Sequence, residues 1–305
     1  MLAIHVWEKR KFDKYDTIMH AVNLLSILSW KKFHGKIHLY TNEAYLNDLK
    51  SWGIDKYYDK IDLDTLKESP KEINQKEYWA WGKLQVAKKQ RPPFVMLDND
   101  LWINEALDLP IENALTGYHF EKFDRQFGSR TYPDFDTMIP EKYLGKWKKW
   151  IMPVNMALCF INSKDLLDTW IKYSEEISMN ITPEIKDYPS AKMCFVEQRL
   201  LPMVAYELGM KWGTFVEPIY NTHLNHLRNG SEWTPQLHDW TPKMFSDFSK
   251  IKHVWGLKHH FSDESILSII VNQILLTFES YPKEKEKHKD LLEEIKNFLE
   301  TSNEE

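Results

Sequence analysis

Cysteine is almost missing from this chain: Cys159 and Cys194 are the only two among 305 residues, each in an apolar stretch. Two thiols so placed leave no disulfide framework and no metal-knuckle spacing. An excess of positive charge is missing too, since 40 basic residues face 45 acidic ones for a net charge of -5. No basic stripe runs through the sequence, which argues against nucleic acid as a partner. No apolar run approaches the roughly 18 residues of a membrane span, and the apolar part of "MLAIHVWEKRKF" is too short for a signal peptide. The expectation is a cytoplasmic protein with no transmembrane segment, in which the sequons at Asn180 and Asn229 mean little. Internal repeats and linkers that demand a second folded domain are absent as well.

What is there suits a large folded core. Hydrophobic residues make up 43% of the chain and aromatics 14%, with 13 tryptophans, so disorder is excluded and aromatic-lined clefts are expected. "LAIHVW" reads as a strand. The next stretch spaces Ile18, Val22, Leu25 and Leu28 as a helix does, and Gly35 stops it. "KIHLYTN" gives a second strand, and "EAYLNDLKSWGI" a helix ending at Gly53. A third helix, about Lys76 to Gln90, is cut off by Pro92-Pro93 before the buried strand "FVMLDND". Alternation of this kind implies a mostly parallel sheet covered on both faces, with ligands beyond the carboxyl ends of the strands.

Residues 118–150 look like an irregular, lid-type excursion, and 218–250 are again loop-like. "VNMALCFINS" is a further buried strand, and "SAKMCFVEQRLLPMVAYELG" a helix capped by Ser190 and kinked at Pro202. The economical division is a catalytic domain over 1–281 and a charged amphipathic helical tail over 282–305. Leu291, Leu292, Ile295, Phe298 and Leu299 share one face of that tail, which suits docking on its own domain.

Chemistry concentrates in "FVMLDNDLWI". In an extended segment, residues two apart point the same way, so Asp98 and Asp100 can present both carboxylates to one point while Asn99 faces elsewhere. A polar turn is the plain alternative, but apolar residues flank the motif on both sides. Burying such a pair is expensive without a partner, so the motif is expected to be less ordered without the ion and diphosphate that would offset the cost. His253 lies far downstream in "HVWGLKHH". An imidazole added to two carboxylates suits Mn²⁺ better than Ca²⁺, which prefers all-oxygen shells.

These residues together resemble the GT-A-fold glycosyltransferases, and within them a divergent branch of the family 8 group that includes glycogenin and bacterial lipopolysaccharide galactosyltransferases. The resemblance covers most of residues 1–260 through short matches in family order. Asp98-Asn99-Asp100 looks like the metal-binding Asp-x-Asp, and Gly82-Lys83-Leu84 like the basic-Leu pair whose cation contacts the nucleotide sugar. "VNMALCFIN" is similar to the strand that sets Asn155 beside the donor sugar, and Glu197-Gln198 to the Asp-Gln pair at the sugar hydroxyls. His253 and Gly256 match the His-x-x-Gly of the last motif. There Lys258 comes one position early, His259 occupies the lysine position, and the Pro-Trp is lacking. Ala157 stands where the family has glycine, and Val6-Trp7-Glu8 replaces the small and acidic residues offered to uridine.

The resemblance implies a GT-A (Rossmann-like) α/β fold with a mixed, mostly parallel sheet and a C-terminal helical tail. It implies a hexosyltransferase using Mn²⁺ or Mg²⁺ and a nucleotide diphosphate sugar, UDP-linked, with a glycan or glycolipid acceptor and retained configuration. Asp98, Asp100 and His253 would hold the metal. Lys83, Asp98, Asn155, Gly256, Lys258 and His259 would bind the donor, and Glu197, Gln198 and Asn155 would act at the reacting sugar. Competing readings are a carbohydrate-binding protein without turnover and a metal-dependent phosphohydrolase, the latter short of a second carboxylate cluster for a second ion. Peripheral contact with a membrane through the tail is compatible with either.

Overall fold

A computed structural model describes residues 1–7, 15–74, 76–121, 135–180, 191–216, 250–254 and 261–301. The fold is α/β: seven strands form a mixed sheet flanked by helices. The chain divides into two units. The first takes Met1, Leu63–Leu97 and Leu109–Asn229, and the second Leu2–Asp62, Asp98–Asp108 and Gly230–Glu305.

In the second unit, β1 (Ala3–Trp7), β2 (Ile37–Thr41) and β3 (Lys60–Asp62) run parallel in the order β3-β2-β1. Helix α1 (Asp16–Phe33) returns β1 to β2 and ends before Gly35, whose φ of +116° favours glycine. The apolar spacing of α1 is as expected, yet the helix also buries His20, Asn23, Ser26 and Ser29. Each of the last three meets a specific partner. Asn23 donates to Tyr58 Oη at 3.0 Å, Ser26 Oγ lies 3.1 Å from His5 Nε2, and Ser29 Oγ accepts from the backbone N–H of Ile103 at 3.2 Å.

Helix α2 (Glu43–Ser51) is capped by Asn42, whose side chain accepts from Tyr45 N–H. The unit is completed by β5 (Leu101–Ile103), which pairs antiparallel with β9 (Ile251–His253), and by three C-terminal helices. These are α7 (Glu264–Phe278), capped by Asp263, then α8 (Pro282–Lys287) and α9 (Lys289–Thr301). The tail helix α9 packs on α1 and α7: Leu291 and Ile295 are buried, and Thr17 donates to Glu294 at 2.6 Å.

The first unit places its strands in the order β4-β7-β6-β8 (Phe94–Leu97, Leu158–Ile161, Leu115–Gly117, Trp212–Thr214). Strand β7 runs antiparallel to both β4 and β6, while β6 and β8 are parallel. Helix α3 is shorter than its sequence pattern, Trp81–Lys88, because residues 76–80 form turns. The excursion after β6 is not wholly irregular, since Phe120 bridges Val154 and short 3₁₀ turns cover Phe135–Thr137 and Glu141–Tyr143. Helix α4 (Lys164–Met179), capped by Ser163, packs on α6.

The expected kinked helix is three pieces: α5 (Ala191–Cys194), a π turn over Phe195–Arg199, and α6 (Leu200–Glu207). Ser190, expected as its cap, lies outside the described residues. Pro202 accounts for part of the irregularity. It has no N–H for the carbonyl of Gln198, four residues back, and that oxygen instead accepts from Val154 N–H at 3.0 Å. No helix among the described residues is long and apolar enough to cross a membrane.

Candidate metal and sugar site

Asp98 follows the last residue of β4, and Asn99 and Asp100 form a turn leading into β5. The extended geometry expected for this motif is therefore corrected to a turn, with the same result for the side chains. One ligand atom each from Asp98, Asp100 and His253 lie within 4.8 Å of one another. Asn99 faces elsewhere, donating to Tyr45 Oη at 3.0 Å. The ladder of β5 with β9 sets Leu101 opposite His253 and continues with Val254 N–H donating to the carbonyl of Asp100 at 2.9 Å. These backbone contacts hold the segment of Asp98 and Asp100 against that of His253.

The donor set fits a divalent ion. His253 Nε2 and Asp100 Oδ1 are 3.3 Å apart, both side chains at most 4% exposed. Adjacent ligands on one ion at about 2.1 Å would be separated by about 3 Å, so little motion is needed. Two carboxylates and one imidazole suit Mn²⁺ or Mg²⁺ with waters completing the shell. Behind the turn, His5 is fully buried, with Nδ1 2.8 Å from Tyr58 Oη. Burial pushes its pKa down to about 3, against the opposing pull of the Asp100 carboxylate, so the imidazole is neutral and adds no positive charge behind the ligands.

Lys83 and Glu197 pair in the first unit, which also holds Asn155. Lys83 Nζ, from α3, lies 3.1 Å from Glu197 Oε1 on the π turn, with the Glu197 side chain 1% exposed. The π turn that carries Glu197 is held from α4: Trp170 Nε1 donates to the carbonyl of Val196 at 2.7 Å, and Ser174 Oγ reaches the same oxygen at 3.5 Å. Gln198 is partly exposed, and its backbone joins the strand segment beside Asn155 through Val154. The amide of Asn155 is oriented from both ends, accepting from Ala157 N–H at 2.9 Å and donating to Glu121 Oε1 at 2.6 Å.

Glu121 is the residue that sequence reasoning missed. It is buried, and desolvation pushes its carboxyl up to about 7, opposed by the Asn155 hydrogen bond and aided by the negative charge of Glu197. The available signal was a lone acid in the aromatic stretch "TGYHFEKF". Segment 118–121 is aligned on 153–155 by three hydrogen bonds: Tyr118 N–H to Asn155 O, Asn155 N–H to His119 O, and Glu121 N–H to Pro153 O. Gly117 permits this close approach, since a Cβ there would fall 2.8 Å from Val154 Cβ. Gly256, Lys258 and His259 lie outside the described residues.

An α/β protein with two carboxylates and an imidazole converging inside one unit, and a half-buried lysine paired with a buried glutamate inside the other, is the class defined by these observations. A model of a family of unknown function, DUF6734, matches residues 9–140. No curated protein matches the chain. Among solved structures, the chain is similar to the galactosyltransferase LgtC in complex with donor and acceptor sugar analogs, at 13% identity and a TM-score of 0.42, covering 88% of this chain and 95% of that one. It is similar to the apo form of mouse xyloside xylosyltransferase 1, at 11% identity and a TM-score of 0.41, covering 82% and 96%. It is also similar to the glycosyltransferase GlyE of Streptococcus pneumoniae TIGR4, at 14% identity and a TM-score of 0.40, covering 93% and 63%.

Proposed function

We propose that this protein is a metal-dependent glycosyltransferase that moves a hexose from a nucleotide diphosphate sugar, UDP-linked, to a glycan or glycolipid acceptor with retention of configuration. The observation that carries the reading is the convergence of Asp98, Asp100 and His253 within 4.8 Å at the end of a buried strand. No second carboxylate-rich group of this kind occurs among the described residues, which disfavours two-ion phosphohydrolase chemistry. A divalent ion bound there would act as a Lewis acid on the diphosphate leaving group.

The remaining roles fall to the chain's own groups. Asp98, Asp100 and His253 hold the ion; Gly256, Lys258 and His259, by their resemblance to the family motif, serve the phosphates. Lys83 contributes a positive charge held in place by Glu197. Glu197 and Gln198 orient the sugar hydroxyls, and Asn155, its amide fixed by Ala157 and Glu121, sits beside the donor sugar. Fixed dipoles and charges of this kind favour the transition state because they need no reorganisation as charge develops.

The test is a donor screen. Purified protein is incubated with Mn²⁺ and each common nucleotide sugar, and released nucleotide diphosphate is detected with and without EDTA. Release or binding that EDTA abolishes is the expected result, and failure of every donor to bind or react would overturn the reading.

A further inference from the structure

Trp150 and Tyr206 are 49% and 44% exposed, and their rings meet edge to face with centroids 5.3 Å apart. The support beneath them is rigid. Glu207, next to Tyr206, accepts from Trp147 Nε1 at 2.9 Å and from Tyr173 Oη at 3.0 Å, and pairs with Lys146 at 3.1 Å. On the other flank, the buried Arg199 donates to the carbonyl of Lys149 at 3.1 Å, and Ile151 is buried directly after Trp150. An aromatic pair held this firmly in water loses little conformational entropy on binding, which is the property of a recognition surface.

The surroundings select the ligand. Lys142, Lys146 and Lys149 are each matched by a carboxylate, Glu176, Glu207 and Asp136, and the exposed Lys148 is offset in sum by the exposed Glu141, so the patch carries little net charge. An anionic lipid surface or a nucleic acid would need unmatched cations. Two half-exposed side chains also supply only a fraction of the about 800 Å² per partner of a standard protein interface. An exposed indole and phenol meeting edge to face, ringed by balanced polar groups, suit the apolar face and hydroxyl rim of a sugar ring. We propose that Trp150 and Tyr206 form a platform for a neutral oligosaccharide. The platform does not depend on the metal triad or on the transferase reading.

An array of neutral oligosaccharides, including maltoheptaose, cellopentaose and chitotetraose, probes this with the full chain in EDTA. The expected result is retention of at least one glycan, weakened tenfold or more by Trp150→Ala and at least threefold by Tyr206→Ala. Trp79→Ala, which removes another exposed tryptophan, should leave retention unchanged, and all variants should melt as the parent does. Four outcomes would overturn the proposal. These are no retained glycan, retention indifferent to Trp150→Ala, retention that requires Mn²⁺ and vanishes in Asp100→Ala, or Trp150-dependent binding to phosphatidylcholine vesicles in place of glycans.

Discussion

Among single residues, Glu121 has the most direct consequence for stability. Its carboxyl is raised from 4.5 to about 7 in the fold, chiefly by burial. A carboxyl whose folded pKa lies above its unfolded value binds more protons folded than unfolded, so folding stability falls as pH rises from about 4.5 to about 7. At about 1.4 kcal/mol per unit, the loss at pH 8 relative to pH 4.5 is on the order of 3 kcal/mol. Glu121→Gln keeps an oxygen for the Asn155 amide and removes the titration. The variant should unfold at higher denaturant than the parent at pH 8 and nearly equal it at pH 5, as read from urea midpoints at the two pH values. Equal midpoints at both pH values would place the Glu121 carboxylate in a polar setting that its burial does not suggest. Gly117 acts through space instead of charge. Gly117→Ala must displace Val154 and with it the backbone of Asn155, whose oxygen would lie 3.3 Å from the new Cβ. The expected cost is about 1–3 kcal/mol of stability, together with weakened donor binding, measured by urea melts and by titration with UDP-sugar.

The regular elements were legible in the sequence where one force dominated. The strands β1, β2, β4 and β7 are short apolar runs bounded by breakers, and α2 stops just short of Gly53. Legibility failed where tertiary contacts replaced local ones. Nothing local marks a π turn at Phe195–Arg199: its carbonyls are satisfied by Trp170, Ser174 and Val154, which are distant in sequence. The polar stripe on α1 was hidden for the same reason, because His20, Asn23, Ser26 and Ser29 look solvated until their partners are known. The turning of Asp98 and Asp100 toward one point was readable since the two acids interrupt an apolar stretch. Their turn geometry was not, because a strand and a tight turn can both bring residues two apart together. The π turn supplies the prediction at this scale. Trp170→Phe keeps an aromatic ring in the buried site and deletes the N–H that holds the Val196 carbonyl. It should cost about 1–3 kcal/mol in urea unfolding. It should also lower donor turnover by displacing Glu197. Unchanged turnover in a destabilised variant would show that the π turn holds its shape without this bond.

Over the whole molecule, Asp98, Asp100 and His253 belong to one unit, and Lys83, Asn155 and Glu197 to the other. The tail helix belongs to the unit with Asp98, Asp100 and His253, where Tyr15 meets Phe298 and Tyr57 Oη lies 3.0 Å from His288 Nε2. A ligand that binds only the folded state stabilises it by RT ln(1 + [L]/Kd), about 2.7 kcal/mol at a hundredfold excess over Kd. Mn²⁺ alone should therefore raise the thermal midpoint, and hydrogen exchange should slow at 98–108 and 250–254, which carry the ligands and their ladder. Asp100→Ala should abolish both effects. Lys83→Ala should leave the Mn²⁺ response intact, since Lys83 pairs with Glu197 and contributes no ligand atom to the triad, while it weakens the further shift produced by adding UDP-sugar. Loss of the Mn²⁺ response in Lys83→Ala would mean that the ion depends on groups beyond these three residues, and a response that survives Asp100→Ala would remove the triad from the metal site altogether.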